Sequence, residues 1–174
     1  MTEQEKEEII ALMARGQTAL RSALRGVSHE GSLRSPGAGR WSILQCVEHV
    51  AVTEGYLLAQ VESAKIAETA LPNPEREARI KAHGADRLRR VESPDVCWPK
   101  GEFASLAEAF GQFQSNRERT VEFLERNQED LRVRIAQHPI LGKVNCHEML
   151  LLMAVHPHRH AEQVAEIAAT LMNS

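Results

Sequence analysis

Apolar residues recur at the spacing of an amphipathic helix in four long segments, and no segment alternates convincingly as a strand does. The segments run from about residue 2 to 27, from 42 to about 70, from 105 to 127 and from 145 to about 172. Each begins with a capping residue that has Glu or Gln three positions later: Thr2/Glu5, Ser42/Gln45, Ser105/Glu108 and Asn145/Glu148. Such pairs satisfy the free backbone N–H groups of a first helical turn. The pattern therefore predicts four helices.

Segments rich in glycine, proline or charge separate these helices. Residues 28–40 hold three glycines and a proline, and the run Leu71-Pro72-Asn73-Pro74 stops the second helix. Residues 75–90 carry many charges and could form a short, mostly exposed helix, whereas residues 93–101 are expected to form an ordered loop that Trp98 attaches to the bundle. The connection between the second and third helices is about 34 residues long, so simple up-down-up-down order does not follow.

These elements predict an all-α fold for residues 1–174 as one domain. A chain of 174 residues is long enough to bury a core without disulfides. Four helices of roughly 20–28 residues favour a four-helix bundle. Two stacked helical hairpins would show the same sequence pattern and stay an alternative.

Composition and charge narrow the classes of partner. Lys and Arg number 21 and Asp and Glu 24, a formal charge of −3, and a chain without basic excess is not expected to bind nucleic acid. The longest apolar run, residues 149–155, is far shorter than the roughly 20 residues that span a membrane. The acidic start, MTEQEKEEII, lacks the pattern of a secretory signal. Together with three widely spaced cysteines (Cys46, Cys97 and Cys146), these features predict a cytoplasmic protein with reduced thiols.

Two histidines on the fourth predicted helix have the spacing of a metal site. His156 and His160 are four residues apart, so both imidazoles lie on one face of a helix, one turn apart. Apolar residues 150–155 precede them, which suggests that both rings are buried. Buried imidazoles must find partners or stay neutral, and a metal ion meets both needs. Structural or solvated histidines are the alternative interpretation.

A third ligand would have to come from another helix, and His49 is the best candidate. It lies in the apolar part of the second predicted helix, beside the buried stripe and near Thr53 and Tyr56 on the helical wheel. The alternative is a core histidine hydrogen-bonded to a hydroxyl. Cys46, three residues earlier, is either a fourth ligand or a small buried hydrophobic residue.

Pro157 stands between the two helix-four histidines. Proline has no N–H, so it frees the Met153 carbonyl and should kink the helix there, at a cost of about 3 kcal/mol. Alternatively, Pro157 begins a second, separate helix.

Two charged residues, Glu54 and Arg117, lie on apolar stripes of the second and third helices. Buried charges need partners, and the simpler interpretation is that the two pair with each other. In the functional interpretation, Arg117 binds a substrate carboxylate through two hydrogen bonds. Glu54 would then orient a metal ligand or act as an acid or base.

Three groups of residues, in this order, carry a resemblance to a known family. They are Trp41-Ser42 with Val47-Glu48-His49; Phe113 to Arg117 with Thr120 and Leu124; and His138-Pro139-x-x-Gly142 followed by His156-x-x-Arg159-His160-x-x-Gln163. The pattern resembles that of the DinB/YfiT-like superfamily, damage-inducible-type four-helix bundles, and covers nearly the whole chain.

The resemblance implies an up-down-down-up bundle, often dimeric, with a divalent metal that is commonly zinc or nickel. Three histidines hold that metal, and they correspond here to His49, His156 and His160. Characterised relatives include thiol S-transferases that use low-molecular-weight thiols such as bacillithiol or mycothiol, and a thiol-dependent maleylpyruvate isomerase. Pro157 departs from the commoner endings of the family.

The residues and the resemblance together predict a metal-dependent enzyme with Arg117 and Glu54 in catalysis. Thiol transfer through a metal-activated thiol is the first hypothesis, because of the family. A metal-dependent hydrolase is the alternative, and so is a non-enzymatic, stress-related module that binds metal or a ligand and dimerises. A third alternative is a bundle without metal, in which His49 lies far from the other two rings. The expected partners are a small-molecule substrate and a second copy of the chain, without nucleic acid or membrane.

Overall fold

Helices make up most of the described chain, which comprises residues 1–69, 71–87 and 92–172. In this computed structural model they are α1 (Glu3–Ala23), α2 (His29–Leu33), α3 (Ile43–Glu62), α4 (Pro74–His83), α5 (Leu106–Arg126) and α6 (Cys146–Met172). The described residues also include three short strands, numbered in chain order: β1 (Lys65–Ile66), β2 (Arg134–His138) and β3 (Gly142–Asn145). Short 3-10 turns cover Asp95–Cys97 and Leu131–Val133. No helix in the described ranges has the length and apolarity needed to cross a bilayer.

The four long helices, α1, α3, α5 and α6, form a bundle, as predicted. α6 packs along α1 and α3, α3 also packs along α5, and α1 meets α5 over a shorter stretch. One apolar cluster surrounds Met13, Leu58 and Met153, and a second surrounds Phe113 and Val164. α6 therefore contributes to both clusters and lies at the centre of the fold.

The predicted helix starts are confirmed, with one change. Three of the four capping pairs exchange both hydrogen bonds: Thr2/Glu5, Ser42/Gln45 and Asn145/Glu148. At the start of α5, Ser105 accepts the N–H of Glu108, but the Glu108 carboxylate accepts the N–H of Ala104 instead of that of Ser105. The third capping box is therefore only half formed.

A small antiparallel sheet ends the second helix early, and the sequence pattern did not predict it. α3 ends at Glu62 and not near residue 70, which itself lies outside the described residues, because the chain turns and β1 pairs with β2. β2 also pairs with β3, with Ala136 opposite Val144. The strands have only two, five and four residues, and few of their side chains are buried. Strands this short and this exposed show no alternation of apolar and polar residues.

The turn between β2 and β3 depends on His138 and Gly142. Gly142 has a φ of 70°, a left-handed conformation that glycine adopts without steric strain. Nδ1 of His138 accepts the N–H groups of Ile140 and Leu141, each at 3.1 Å, which requires a proton-free Nδ1. Burial lowers the pKa of His138 to about 4, so the ring remains an acceptor at neutral pH.

The predicted exposed helix over residues 75–90 is shorter in the structure. α4 ends at His83, and residues 88–90 lie outside the described residues. α4 packs on α6. The Arg76 guanidinium donates to both carboxylate oxygens of Glu148, each at 2.6 Å. This ion pair fastens α4 to the first turn of α6.

Gly16 of α1 lies directly against the backbone of α6, where an added Cβ would be 2.8 Å from the Ala154 carbonyl oxygen. We expect Gly16→Ala to lower the free energy of unfolding by about 1–3 kcal/mol, because the two helices must move apart. Gly111→Ala on α5 is the matched control, since among the described residues no atom beyond its chain neighbours and its own helix backbone lies within 4 Å of that Cβ. It should raise the free energy of unfolding by up to about 1 kcal/mol, because alanine favours the helix. Urea unfolding measures both, and equal effects would contradict the close contact.

Candidate metal centre

Three histidines from two helices meet at one point of the bundle. His49 extends from α3, and His156 and His160 extend from α6. The Nε2 atoms of His49 and His156 are 3.2 Å apart, and those of His156 and His160 are 3.0 Å apart. One ligand atom of each ring lies within 4.8 Å of the others. The structure thus brings together the three residues singled out in the sequence, and the alternative in which His49 lies far away is wrong.

The distances fit a single metal ion. Two nitrogens bound to one zinc ion at about 2.0–2.1 Å are roughly 2.9 Å apart at a right angle and roughly 3.4 Å apart at the tetrahedral angle. The separations of 3.0 and 3.2 Å lie within this range. His49 and His160 are each 6% exposed, whereas His156 is partly open to solvent. Two of the three separations therefore match those of ligands on one ion, and the third ligand atom lies within 4.8 Å of the others.

The outer nitrogens of two rings are bonded to acceptors, which orients their inner nitrogens. His49 Nδ1 donates to the Cys97 carbonyl at 2.7 Å, and His160 Nδ1 donates to Oε1 of Gln163 at 2.9 Å. A proton on Nδ1 leaves the Nε2 lone pair free in each ring. His156 Nε2 carries at most one proton and can satisfy only one of these two lone pairs. The donor set therefore suits a cation placed among the three nitrogens.

The principal hydrogen-bond partner of His49 is not a hydroxyl, as the alternative interpretation of this residue expected. Thr53 Oγ1 is 3.4 Å from His49 Nδ1, much farther than the Cys97 carbonyl oxygen. A separation of 3.4 Å is long for a hydrogen bond. The backbone carbonyl therefore sets the orientation of this ring.

Burial keeps the three imidazoles uncharged. It lowers the pKa of His49. The pKa values of His156 and His160 lie well below the ordinary value of 6.5, because burial and then neighbouring positive charge disfavour the protonated rings. Neutral imidazole is the form that binds metals, so no proton has to be displaced from these rings at neutral pH.

Glu48, the residue before His49, is a functional candidate that sequence reasoning missed. Its carboxylate Oε1 accepts the backbone N–H groups of Lys100, Gly101 and Glu102 at 2.7, 2.7 and 2.9 Å. Glu48 and His49 thus fasten the 97–102 segment to α3 from adjacent positions. The available signal was a charged residue next to a candidate ligand in an apolar helix.

One tryptophan lies beside His49, and a second tryptophan packs against the first. The Trp41 ring is 4.9 Å from the His49 ring, and Trp98 meets Trp41 edge to face at 5.3 Å. The expected attachment of the 93–101 loop by Trp98 is therefore confirmed, although this side chain is still 44% exposed. Arg87 Nη1 donates at 3.2 Å to Gln163 Oε1, the same oxygen that accepts from His160.

Cys46 is not a fourth ligand. Its side chain is fully buried in the apolar cluster of Phe113 and Val164, and burial raises the pKa of its thiol to about 12. Within the described ranges, the cluster of possible ligands contains only the three histidines. Cys46 is therefore a small buried hydrophobic residue, the second of the two predicted alternatives.

Glu54 and Arg117 bind each other, as the simpler interpretation predicted. Arg117 Nε lies 2.7 Å from Glu54 Oε1, and Nη2 donates to Oε2 at 3.0 Å. The two side chains are 1% and 3% exposed. Nη2 also donates to the Met153 carbonyl at 2.9 Å. The structure thus joins this pair to α6 and not to the histidine nitrogens.

α6 continues through Pro157 as one helix, so the alternative that Pro157 begins a second helix is wrong. The Met153 carbonyl, which Pro157 was predicted to free, accepts a hydrogen bond from Arg117.

A profile of the DinB superfamily matches residues 12–164, which include the three histidines. The match covers well over half of the chain, and the chain belongs to the DinB superfamily. The resemblance found in the sequence motifs is thereby confirmed. No curated protein matches the sequence.

Among solved structures, YfiT from Bacillus subtilis has a similar fold. The TM-score is 0.62 at 16% sequence identity, and the alignment covers 99% of this chain and 90% of that chain. YfiT is described as a probable metal-dependent hydrolase with an unusual four-helix bundle topology. At this identity the similarity shows a shared four-helix bundle fold.

Acidification should destabilise the metal-free protein through these rings. The pKa of each ring is near 6.5 in the unfolded state and lower in the folded state. The stability that the neutral rings contribute is therefore complete above pH 6.5 and is lost as the pH falls toward the folded-state pKa. For each ring that stays neutral in the folded state, the free energy of unfolding falls by at most about 2 kcal/mol between pH 7 and pH 5. Urea unfolding across this interval should therefore show a smaller loss for His156→Gln/His160→Gln than for the wild type. His158→Gln, an exposed neighbour, should match the wild type; identical losses in all three proteins would contradict the assignment.

Proposed function

We propose that this protein is a divalent-metal-dependent enzyme in which His49, His156 and His160 bind the metal ion. The carrying observation is the convergence of three Nε2 atoms, without a Cys, Asp or Glu ligand beside them in the described ranges. Three protein ligands and an open position are typical of catalytic zinc sites, whereas structural sites use four protein ligands.

A divalent cation held by three neutral imidazoles keeps its positive charge and lowers the pKa of a thiol or water molecule in its open position. The residues of the chain have three tasks around it. The Cys97 carbonyl and Gln163 orient two of the rings. Burial keeps the rings neutral, and the exposure of His156 leaves a path for a small substrate.

Thiol transfer is the first proposed reaction. Its support is the resemblance to superfamily members that use bacillithiol or mycothiol. The deprotonated sulfur of a low-molecular-weight thiol would form a bond to an electrophilic carbon of the second substrate, and the leaving group would depart with the bonding electrons. Both substrates are small molecules, consistent with the exposure of a single ring of the cluster.

Hydrolysis is the second candidate, with water in place of the thiol. Its support is the fold shared with YfiT, which is described as a probable metal-dependent hydrolase. A non-enzymatic metal-binding and dimerisation module is the remaining alternative.

Further properties complete the proposal. Zinc and nickel are the proposed metals, since imidazole ligands suit both. Glu54 and Arg117 contribute to catalysis through the position of α6, because their charged groups bind each other and the Met153 carbonyl. We also propose a homodimer in the cytoplasm, where the free thiols of Cys46, Cys97 and Cys146 would stay reduced.

Elemental analysis tests the metal site. Untagged wild type purified without chelators should contain about one equivalent of zinc or nickel, because one set of three imidazoles converges. His156→Ala/His160→Ala should contain almost none. His158→Ala, on the same helix but exposed, should retain the metal. No metal in the wild type, even after reloading with zinc or nickel, would overturn the proposal.

A two-substrate assay separates the proposed reactions. Metal-loaded wild type should consume an activated aryl halide in the presence of bacillithiol at least about tenfold faster than His156→Ala/His160→Ala, because only the intact site activates the thiol. Without thiol the wild type should be inactive. Hydrolysis of an activated ester without any thiol would favour the hydrolase. Inactivity with both classes of substrate would favour the binding module.

A further inference from the structure

Pro157 leaves one backbone carbonyl of α6 without its helical partner beside the candidate metal centre. Because proline has no N–H, the Met153 carbonyl four residues earlier cannot accept the usual hydrogen bond. Met153 is fully buried, and an unpaired carbonyl in an apolar interior is unfavourable. This position lies about one turn before His156 and two turns before His160.

Arg117 of α5 supplies the missing donor. Its Nη2 donates to the Met153 carbonyl at 2.9 Å. Glu54 of α3 holds the same guanidinium through contacts of 2.7 and 3.0 Å, and the Phe113 ring lies 5.2 Å from its central carbon. Thr120 Oγ1 lies 3.4 Å from Glu54 Oε1, but its hydroxyl donates to the Asn116 carbonyl at 2.9 Å. One buried group therefore connects α3, α5 and α6.

Stability alone does not account for this arrangement. In the described part of the chain, Nη1 of Arg117 has no hydrogen-bond partner, and Nε forms an ion-pair contact with Glu54 Oε1 but no hydrogen bond of good geometry. Moving a charged pair out of water commonly offsets what the pairing contributes, and apolar side chains of similar volume are often at least as stabilising. A role in geometry explains the pair better, because its contacts join α3 and α6, the two helices that carry the candidate ligands. Glu54 follows His49 by five residues on α3, and Met153 precedes His156 by three residues on α6.

We propose that Arg117, held by Glu54, is a positioning residue for the metal centre. It replaces the backbone hydrogen bond that Pro157 removes and thereby fixes the His156 segment of α6 relative to His49 on α3. The metal part of this inference rests on the proposed function. The hydrogen-bond part is independent of it.

A double-mutant cycle between Arg117 and Pro157 tests the proposal, because Pro157→Ala returns an N–H to the Met153 carbonyl. Arg117→Lys keeps a positive charge opposite Glu54 but loses the planar group that bonds the carboxylate and the carbonyl together. The full chain, both single variants and the double variant are compared. Zn²⁺ affinity is measured by competition with a chromophoric chelator, and the ligand geometry by the visible spectrum of the Co²⁺-loaded proteins.

With Pro157 in place, Arg117→Lys should weaken Zn²⁺ binding on the order of tenfold and alter the Co²⁺ spectrum. In the Pro157→Ala background the same substitution should weaken binding less than about threefold and leave the spectrum nearly unchanged. Arg119→Lys is the matched control on α5, since Arg119 is exposed and its contact with Glu62 is long, at 3.5 Å. It should change neither quantity. Equal effects of Arg117→Lys in the two backgrounds, including no effect in either, would overturn the proposal.

Thermal unfolding of the metal-free proteins keeps the two proposals separable. Arg117→Lys should lower Tm less in the Pro157→Ala background than with Pro157. If no variant binds Zn²⁺, the proposed function fails, and equal Tm losses would still overturn the hydrogen-bond inference. If Arg117→Lys does not fold, the neutral pair Glu54→Leu/Arg117→Met takes its place in the same cycle, with the same expected coupling.

Discussion

Three imidazoles that meet with His156 Nε2 only 3.2 Å from that of His49 and 3.0 Å from that of His160 are compatible with a folded interior only while they are uncharged, and their surroundings are arranged accordingly. Burial depresses the pKa of each ring. Acceptors on the outer nitrogens of His49 and His160 direct the inner lone pairs toward one point. The acceptor for His49 is a backbone carbonyl in a loop that Glu48 fastens. The loop after α4 is therefore as much a part of the site as the two helices.

Buried carboxylates hold the elements around this point in their relative positions. Glu48 joins α3 to the 97–102 segment, Glu54 joins α3 to α5, and Glu148 joins α6 to α4. Each of the three has at least two donor nitrogens within 3.0 Å, as a buried charge requires, and for Glu54 both belong to Arg117. Apolar packing brings helices together without fixing their axial position, whereas hydrogen bonds to a carboxylate are directional. The site geometry therefore depends on polar contacts around the apolar core.

Membership of the DinB superfamily accounts for the bundle, and particular residues of this chain modify it. Pro157 interrupts the backbone hydrogen bonds of α6 between two of the histidines, yet the helix continues. A side chain from a neighbouring helix completes the interrupted ladder. Gly16 lets α1 approach the same turn of α6 closely, at the Ala154 carbonyl. The segment that bears His156 is thus held by tertiary contacts where its own backbone bonding is incomplete.

The sequence by itself determined what local interactions decide. Hydrophobic periodicity and caps located the four long helices, the four-residue spacing paired His156 with His160, and Pro157 identified Met153 as the freed carbonyl. Tertiary structure decided everything that depends on which helices are neighbours: the approach of His49, the Arg117 contact with Met153, and the loop held by Glu48. These contacts join residues more than 30 positions apart, and the packing of whole helices sets their distances. The short strands were missed for the same reason, since cross-strand pairing and not their own apolar pattern defines them.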